Sequence, residues 1–262
     1  MKSIDKQFSR LVEIMAMLRG ENGCPWDIAQ DHKSLRQHLL EEAYEVLETI
    51  DDEHYEKLPD ELGDLLLQVI FHAQIASEKG LFNIESVLQA IINKLIRRHP
   101  HVFGDKVVET AEEQIILWEQ IKINNEGKKS AIDGVPKQLP ALVRSYRMQN
   151  KAATVGFDWD NIEPVWDKVS EETAELKNAI ETGDKENIED ELGDLLFTIV
   201  NLSRFLKVNP EDALRKTIKK FDRRFRKVEA EFKNKGQALT DVTLEEMDNV
   251  WEEIKKQETE KK

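Results

Sequence analysis

The sequence predicts an all-α fold built from two tandem, repeated helical modules, each packed as a bundle. Three observations carry this. Apolar residues recur at helical spacing almost throughout, and no stretch alternates at a two-residue period for long enough to build a sheet. The 262 residues include only 11 Gly and 7 Pro, so helix breakers are sparse. The heptapeptide DELGDLL occurs at 60–66 and again at 190–196, an offset of 130.

Taken in order, helices are expected near 3–19, 32–52, 57–79, 84–98, 110–123, 137–152, 162–182, 185–207, 210–233 and 243–258. The first lacks the long apolar core and small-residue cleavage site of a signal peptide. In the second, Leu39, Leu40, Ala43, Val46, Leu47 and Ile50 trace one face; in the third, Leu62, Leu65, Leu66, Val69, Ile70 and Ala73 do so. KLIRR (94–98) in the fourth matches KFDRR (220–224) in the ninth, and EEQIILWEQIK (112–122) in the fifth matches EEMDNVWEEIK (245–255) in the last. NNEGKKSAIDGVPKQLP (124–140) holds two Gly and two Pro and reads as a linker, followed by a basic helix with Arg144, Arg147 and Lys151. Glu41, Glu42 and Glu45 match Glu171, Glu172 and Glu175, and Trp26-Asp27 matches Trp159-Asp160. The two copies thus run from about 20–123 and 153–258, which places an N-terminal module at 1–123 and a C-terminal module at 141–262.

Charge and cysteine content narrow the function. With 38 Lys and Arg against 52 Asp and Glu, the net charge of −14 argues against a nucleic-acid binder or a ligand of anionic lipid. Apolar stretches such as Leu65–Ile75 are interrupted by Gln68, His72 and Gln74 and are too short to span a bilayer. The single Cys24 excludes an internal disulfide and suits a cytoplasmic protein. An anionic small substrate requires local cations or a metal to offset the field.

The chemistry concentrates in the second copy. Glu172 and Glu175 are three residues apart and project from one helix face; Glu191 and Asp194 repeat that spacing on the next helix. The short connection Thr182-Gly183-Asp184 makes these helices antiparallel neighbours, so four carboxylates can converge. Leu192, Leu195, Leu196, Phe197, Ile199 and Val200 lie nearly all round the second helix, which predicts a buried rod with one polar stripe of Glu191, Asp194, Thr198 and Asn201. Buried carboxylates persist when a cation compensates them. With no Cys or His beside them, Mg²⁺ is the expected ion, with Mn²⁺ able to substitute; the structural alternative is a set of inter-helix salt bridges. Lys168, one turn before Glu172, and Lys220, Arg223 and Arg224 are candidate phosphate groups, although such basic clusters commonly form a solvated face or pair with acidic helices. Trp251 could stack on a base, but a Trp at helical spacing is more often core.

EExxE (171–175) and ELGD (191–194), repeated from the first copy, together with GCPWD (23–27), RRHPHVFGD (97–105) and VGFDWD (155–160), resemble the MazG family of all-α nucleoside triphosphate pyrophosphohydrolases in its long, two-module form. The resemblance implies hydrolysis of (deoxy)nucleoside triphosphates, ATP included, to monophosphate and pyrophosphate, and a homodimer. It implies that Mg²⁺ is held by Glu172, Glu175, Glu191 and Asp194. Nucleotide contacts would come from Lys168, Val169, Ser170, Glu171 and Glu172, from Lys220, Phe221, Asp222, Arg223 and Arg224, and from Trp251. Glu172, Glu175 and Lys168 are the expected catalytic groups and Asn201 a further contact. Glu171, about 100° round the helix from Glu172, is placed behind the ligands.

The first copy keeps its acids as Glu42, Glu45, Glu61 and Asp64, a possible second site. His38 replaces Lys168 and Phe71 replaces Asn201, and both changes weaken a phosphate site. The second module is therefore expected to carry most turnover, with the first reduced or serving assembly. The alternative is a nucleotide-binding helical regulator or scaffold without turnover, disfavoured by the intact second constellation. His99 and His101 read as helix-end residues, and Cys24 as a loop residue and not a nucleophile.

Overall fold

Helical periodicity becomes helix at nearly every predicted position. A computed structural model describes residues 2–110, 113, 114, 117, 118 and 130–260, and among them there is no strand. The helices are α1 (Lys2–Leu18), α2 (Pro25–Ala29), α3 (Leu35–Asp51), α4 (Leu58–Glu78), α5 (Ile84–Arg98), α6 (Pro100–Phe103), α7 (Ala141–Ala153), α8 (Glu163–Thr182), α9 (Lys185–Phe205), α10 (Pro210–Asn234) and α11 (Leu244–Glu260), with a 3₁₀ turn at Leu239–Asp241. Most of the helix expected at 110–123, and positions 124–129 of the expected linker, lie outside the described residues. The chain divides into two units, Met1–Glu109 and Thr110–Lys262.

Three short elements escape a reading based on periodicity: α2, α6 and the 3₁₀ turn each span less than two helical turns, too few for a face to repeat. Cys24, expected in a loop, is the N-cap of α2, with Pro25 as the first helical residue. The helix expected from 137 begins only at Ala141. Pro140 denies Leu139 the helical conformation, so the start is pushed past it.

In the first unit α3 and α4 pair as a hairpin, and α1 and α5 pack on α4. Met15, Leu35, Ile70, Phe71 and Ile75 close the core between them. Each such buried side chain contributes about 1.5–3 kcal/mol. In the second unit α8 and α9 form the tightest pairing, α7 packs on α9 and α10, and α10 packs on α11. Val228 and Phe232 of α10 meet Val250 and Ile254 of α11 and Val242. The α8–α9 turn shows why the sequence folds this way. Gly183 ends α8 at φ +74°, a left-handed conformation suited to glycine, and Asp184 then caps α9 by accepting from Glu186 N at 3.1 Å. At the matching position of the first copy Glu53 adopts φ +58° without that freedom.

One expectation is corrected. The α9 rod is not buried all round: Leu192, Leu196, Phe197 and Ile199 are exposed, while Thr198, Val200, Asn201 and Leu202 are buried. Within this chain only one side of α9 finds partners, so apolar residues on the other side remain in water. The matching Leu62, Leu66 and Val69 of α4 are exposed too. Among the described residues no helix is long and apolar enough to cross a membrane.

Candidate active site

The α8–α9 hairpin aligns the acidic faces of both helices. One oxygen each from Glu172, Glu175 and Glu191 lies within 4.8 Å of the others, the one such carboxylate, His or Cys group of three or more among the described residues. Glu172 is buried at 4 % exposure, Glu191 is half-buried, and Glu175 and Asp194 are exposed. Burial of a whole helix is thus not what makes the site unusual; crowding is. Partial burial first, and then the charges of Glu175, Glu172, Asp194 and Asp190, push the Glu191 carboxyl above its ordinary range. Hard oxygen donors crowded to that degree, with no Cys or His among them, fit a hard divalent cation.

Lys168 is the cation beside the carboxylates. Its Nζ lies 2.7 Å from Glu172 Oε1 and 2.9 Å from Glu171 Oε1. Hydrogen bonds donated to Glu172 and then Glu171 hold its ammonium well above the usual lysine range, so it stays charged. Val169 is half-buried, and Ser170 Oγ turns back to donate to Trp166 O at 3.0 Å instead of facing the site.

Beside the carboxylates opens a cavity of about 650 Å³, lined by Lys168, Glu172, Asp194, Thr198 and Asn201 and by the apolar Ile132, Met148, Ala152, Phe157, Trp159 and Phe197. Asp194 thus joins Glu172 in the cavity wall, though it lies outside the closest trio. The structure adds members that periodicity did not reveal. Arg204 grips Asp158 with two hydrogen bonds, one of them 2.8 Å from Nη1 to Oδ2, and donates from Nε to Asn201 Oδ1 at 3.0 Å. Gln149 donates from Nε2 to Phe197 O at 2.9 Å. The loop motif VGFDWD, whose Trp159-Asp160 repeats Trp26-Asp27, was the available signal for Phe157, Asp158 and Trp159; no local spacing announces a pair 46 residues apart.

The remaining candidates gather elsewhere. Lys220, Phe221, Asp222, Arg223, Arg224 and Trp251 are not among the residues lining the cavity. Glu258 of α11 takes Arg223 Nη2 at 3.0 Å, Arg224 Nε at 2.9 Å and Lys227 Nζ at 2.8 Å. Asp222 pairs with Arg226 at 2.8 Å. Trp251 packs on the α10–α11 core, with the Phe221 ring 5.3 Å away and the Arg224 guanidinium 5.8 Å over its face. Lys220 is exposed.

The first copy is built differently at the same positions. Partial burial and then the charges of Asp64 and Glu45 raise the Glu42 carboxyl, so these acids approach one another. Among the described residues, however, Glu42, Glu45, Glu61 and Asp64 supply no trio as close as that of the second copy. His38 pairs with Glu41 at 3.2 Å and meets Trp26 edge-on. Phe71, in the place of Asn201, is a core residue beneath Arg19, whose own carboxylate partner is Glu78 at 2.7 Å. His99 joins α5 to α6, its Nδ1 donating to Leu95 O at 2.7 Å.

Comparison with known proteins follows the same division. A family model described as the MazG nucleotide pyrophosphohydrolase domain matches residues 30–103 and again 162–229. The chain is 48% identical over 257 residues to a Thermotoga maritima protein named nucleoside triphosphate pyrophosphohydrolase/pyrophosphatase MazG, covering 97% of this chain and 98% of that protein. It is 46% identical over 258 residues to the Escherichia coli K12 protein named nucleoside triphosphate pyrophosphohydrolase, covering 96% and 98%. A Mycobacterium tuberculosis protein of the same name is 37% identical over 151 residues, covering 56% of this chain and 46% of that one.

Proposed function

This chain belongs to the MazG nucleotide pyrophosphohydrolase family, and on that premise we propose that its second module hydrolyses (deoxy)nucleoside triphosphates to monophosphate and pyrophosphate, limiting a nucleotide pool. The observation that carries the reading is the trio Glu172, Glu175 and Glu191, drawn together beside Lys168 where an apolar chamber opens. Glu172, Glu175, Glu191 and Asp194 would hold Mg²⁺ or Mn²⁺. When bound, the ion supplies charge neutralisation at phosphate oxygens and acidifies a water.

The chain's own groups do the rest. Phe157, Trp159 and Phe197 offer the nucleoside an apolar surface to pack against. Arg204, anchored to Asp158 and Asn201, keeps that wall rigid. Lys168 meets the negative charge that develops as water attacks the α-phosphorus in line and pyrophosphate departs. A carboxylate of the set accepts the water's proton. A role for Lys220, Arg223 and Arg224 on the phosphate tail, with Trp251 beside Arg224, rests on the family resemblance and would require Arg223 and Arg224 to leave Glu258.

The test is pyrophosphate release from eight (deoxy)nucleoside triphosphates with Mg²⁺ and with EDTA. Monophosphate plus pyrophosphate, lost with EDTA, is expected; Mg²⁺ binding without turnover would point to the nucleotide-binding regulator instead. The chain is further proposed to work as a homodimer, because Leu192, Leu196 and Ile199 form an exposed apolar stripe at i, i+4 and i+7 of α9. Leu196→Asp should convert the dimer to monomer in light scattering; an unchanged mass would remove this stripe from the interface.

A further inference from the structure

We infer that Gln149 reads the nucleobase, its side-chain carbonyl accepting a hydrogen bond from the exocyclic amino group of a base seated in the chamber. The inference rests on the reading above, that the chamber takes a nucleoside triphosphate. Gln149 lies on α7 and is 9 % exposed. Its Nε2 donates to the Phe197 carbonyl at 2.9 Å, and since a carbonyl only accepts, this bond fixes Oε1 as the end of the amide left for a ligand. Oε1 is then left buried without a partner. Among the described residues lining the chamber, it is the one buried side-chain polar atom so left. A buried acceptor without a donor is a standing cost that a ligand donor removes.

Its position selects the donor. Phe197 stands one turn beyond Asp194 along α9, on the side away from Glu191, so the chamber runs from the carboxylates toward Gln149. With the phosphates at the carboxylates, the far part of the nucleoside, its base, reaches the amide. The neighbours there, Met148, Ala152 and Phe157, are apolar and suit a flat ring. Cytosine and adenine present an amino group to the carbonyl, whereas uracil and hypoxanthine set carbonyl against carbonyl. The first copy has Ala16 at the corresponding position, in register with Trp26 and Trp159, and offers no such acceptor.

The test compares kcat/KM of the full chain with Mg²⁺ on CTP, UTP, ATP, ITP and 2′-deoxy-CTP, for the wild type and Gln149→Met. The wild type is expected to favour CTP over UTP and ATP over ITP by about 5- to 20-fold. In Gln149→Met both ratios should fall to near one while the CTP to deoxy-CTP ratio holds. Ratios within one preparation cancel any inactive fraction. Flat or reversed ratios in the wild type overturn the proposal without recourse to a variant, as does a preference that survives in Gln149→Met. Loss of ribose discrimination with base discrimination intact would reassign the carbonyl to a sugar hydroxyl. Failure to hydrolyse any of the five would overturn the underlying reading, and this inference with it.

Discussion

Glu172 is the most buried of the four carboxylates and the one closest to an ammonium, at 2.7 Å from Lys168. That ammonium is shared with Glu171, which is exposed and does not line the cavity. The two acids therefore offer a control within one turn of helix. Lys168→Met should lower kcat/KM for pyrophosphate release about 100-fold, while Glu171→Gln should change it little. Equal effects would show that the lysine acts by anchoring the surface of α8 and not on phosphate. The pair Glu171 and Glu172 also shows what residue spacing can reveal: three- and four-residue steps place Lys168, Glu172 and Glu175 on one face. The same spacing is silent about Gln149 and Arg204, whose partners Phe197 and Asp158 come from other elements.

At the scale of elements, the α10–α11 pair is held by an apolar seam and, at its end, by Glu258 among three cations. Hydrogen bonds from Lys227, then Arg223 and Arg224, hold the Glu258 carboxyl down to about 2. A carboxyl depressed in the folded state adds stability that is complete above its ordinary range and is lost as pH falls through that range toward the folded value. Glu258→Gln should therefore lower the urea midpoint at neutral pH, and the gap from wild type should narrow as pH falls below about 5 and close toward about 2. A gap independent of pH would mean that the glutamate acts through packing alone. The basic cluster was legible in the sequence, as was its option of pairing with an acidic helix. Its partner was not, because Glu258 is one of many acids on α11 and only the crossing of two helices selects it.

Over the whole molecule, duplication has produced two units whose acids match and whose interiors do not. Phe71 fills a core where Asn201 lines a cavity, and His38 turns to Glu41 where Lys168 reaches Glu172. Glu172→Ala should reduce pyrophosphate release at least about 1,000-fold, whereas Glu42→Ala should leave more than about half. Comparable losses in the two variants would mean that both modules turn over substrate, or that neither acid is a ligand.

Sequence alone determined the all-α class, the repeat, nearly every long helix and the two pairs of carboxylates, because each is written in short-range periodicity or in literal recurrence. The burial of α9 was misjudged, since a helix apolar all round is covered only where neighbours exist, and one chain supplies them on one side. Only tertiary structure decided which three carboxylates crowd together, that a chamber opens beside them, and that a lining amide keeps its oxygen without a partner. The last two depend on the packing of α7 against α9, a contact between segments tens of residues apart that no local pattern encodes.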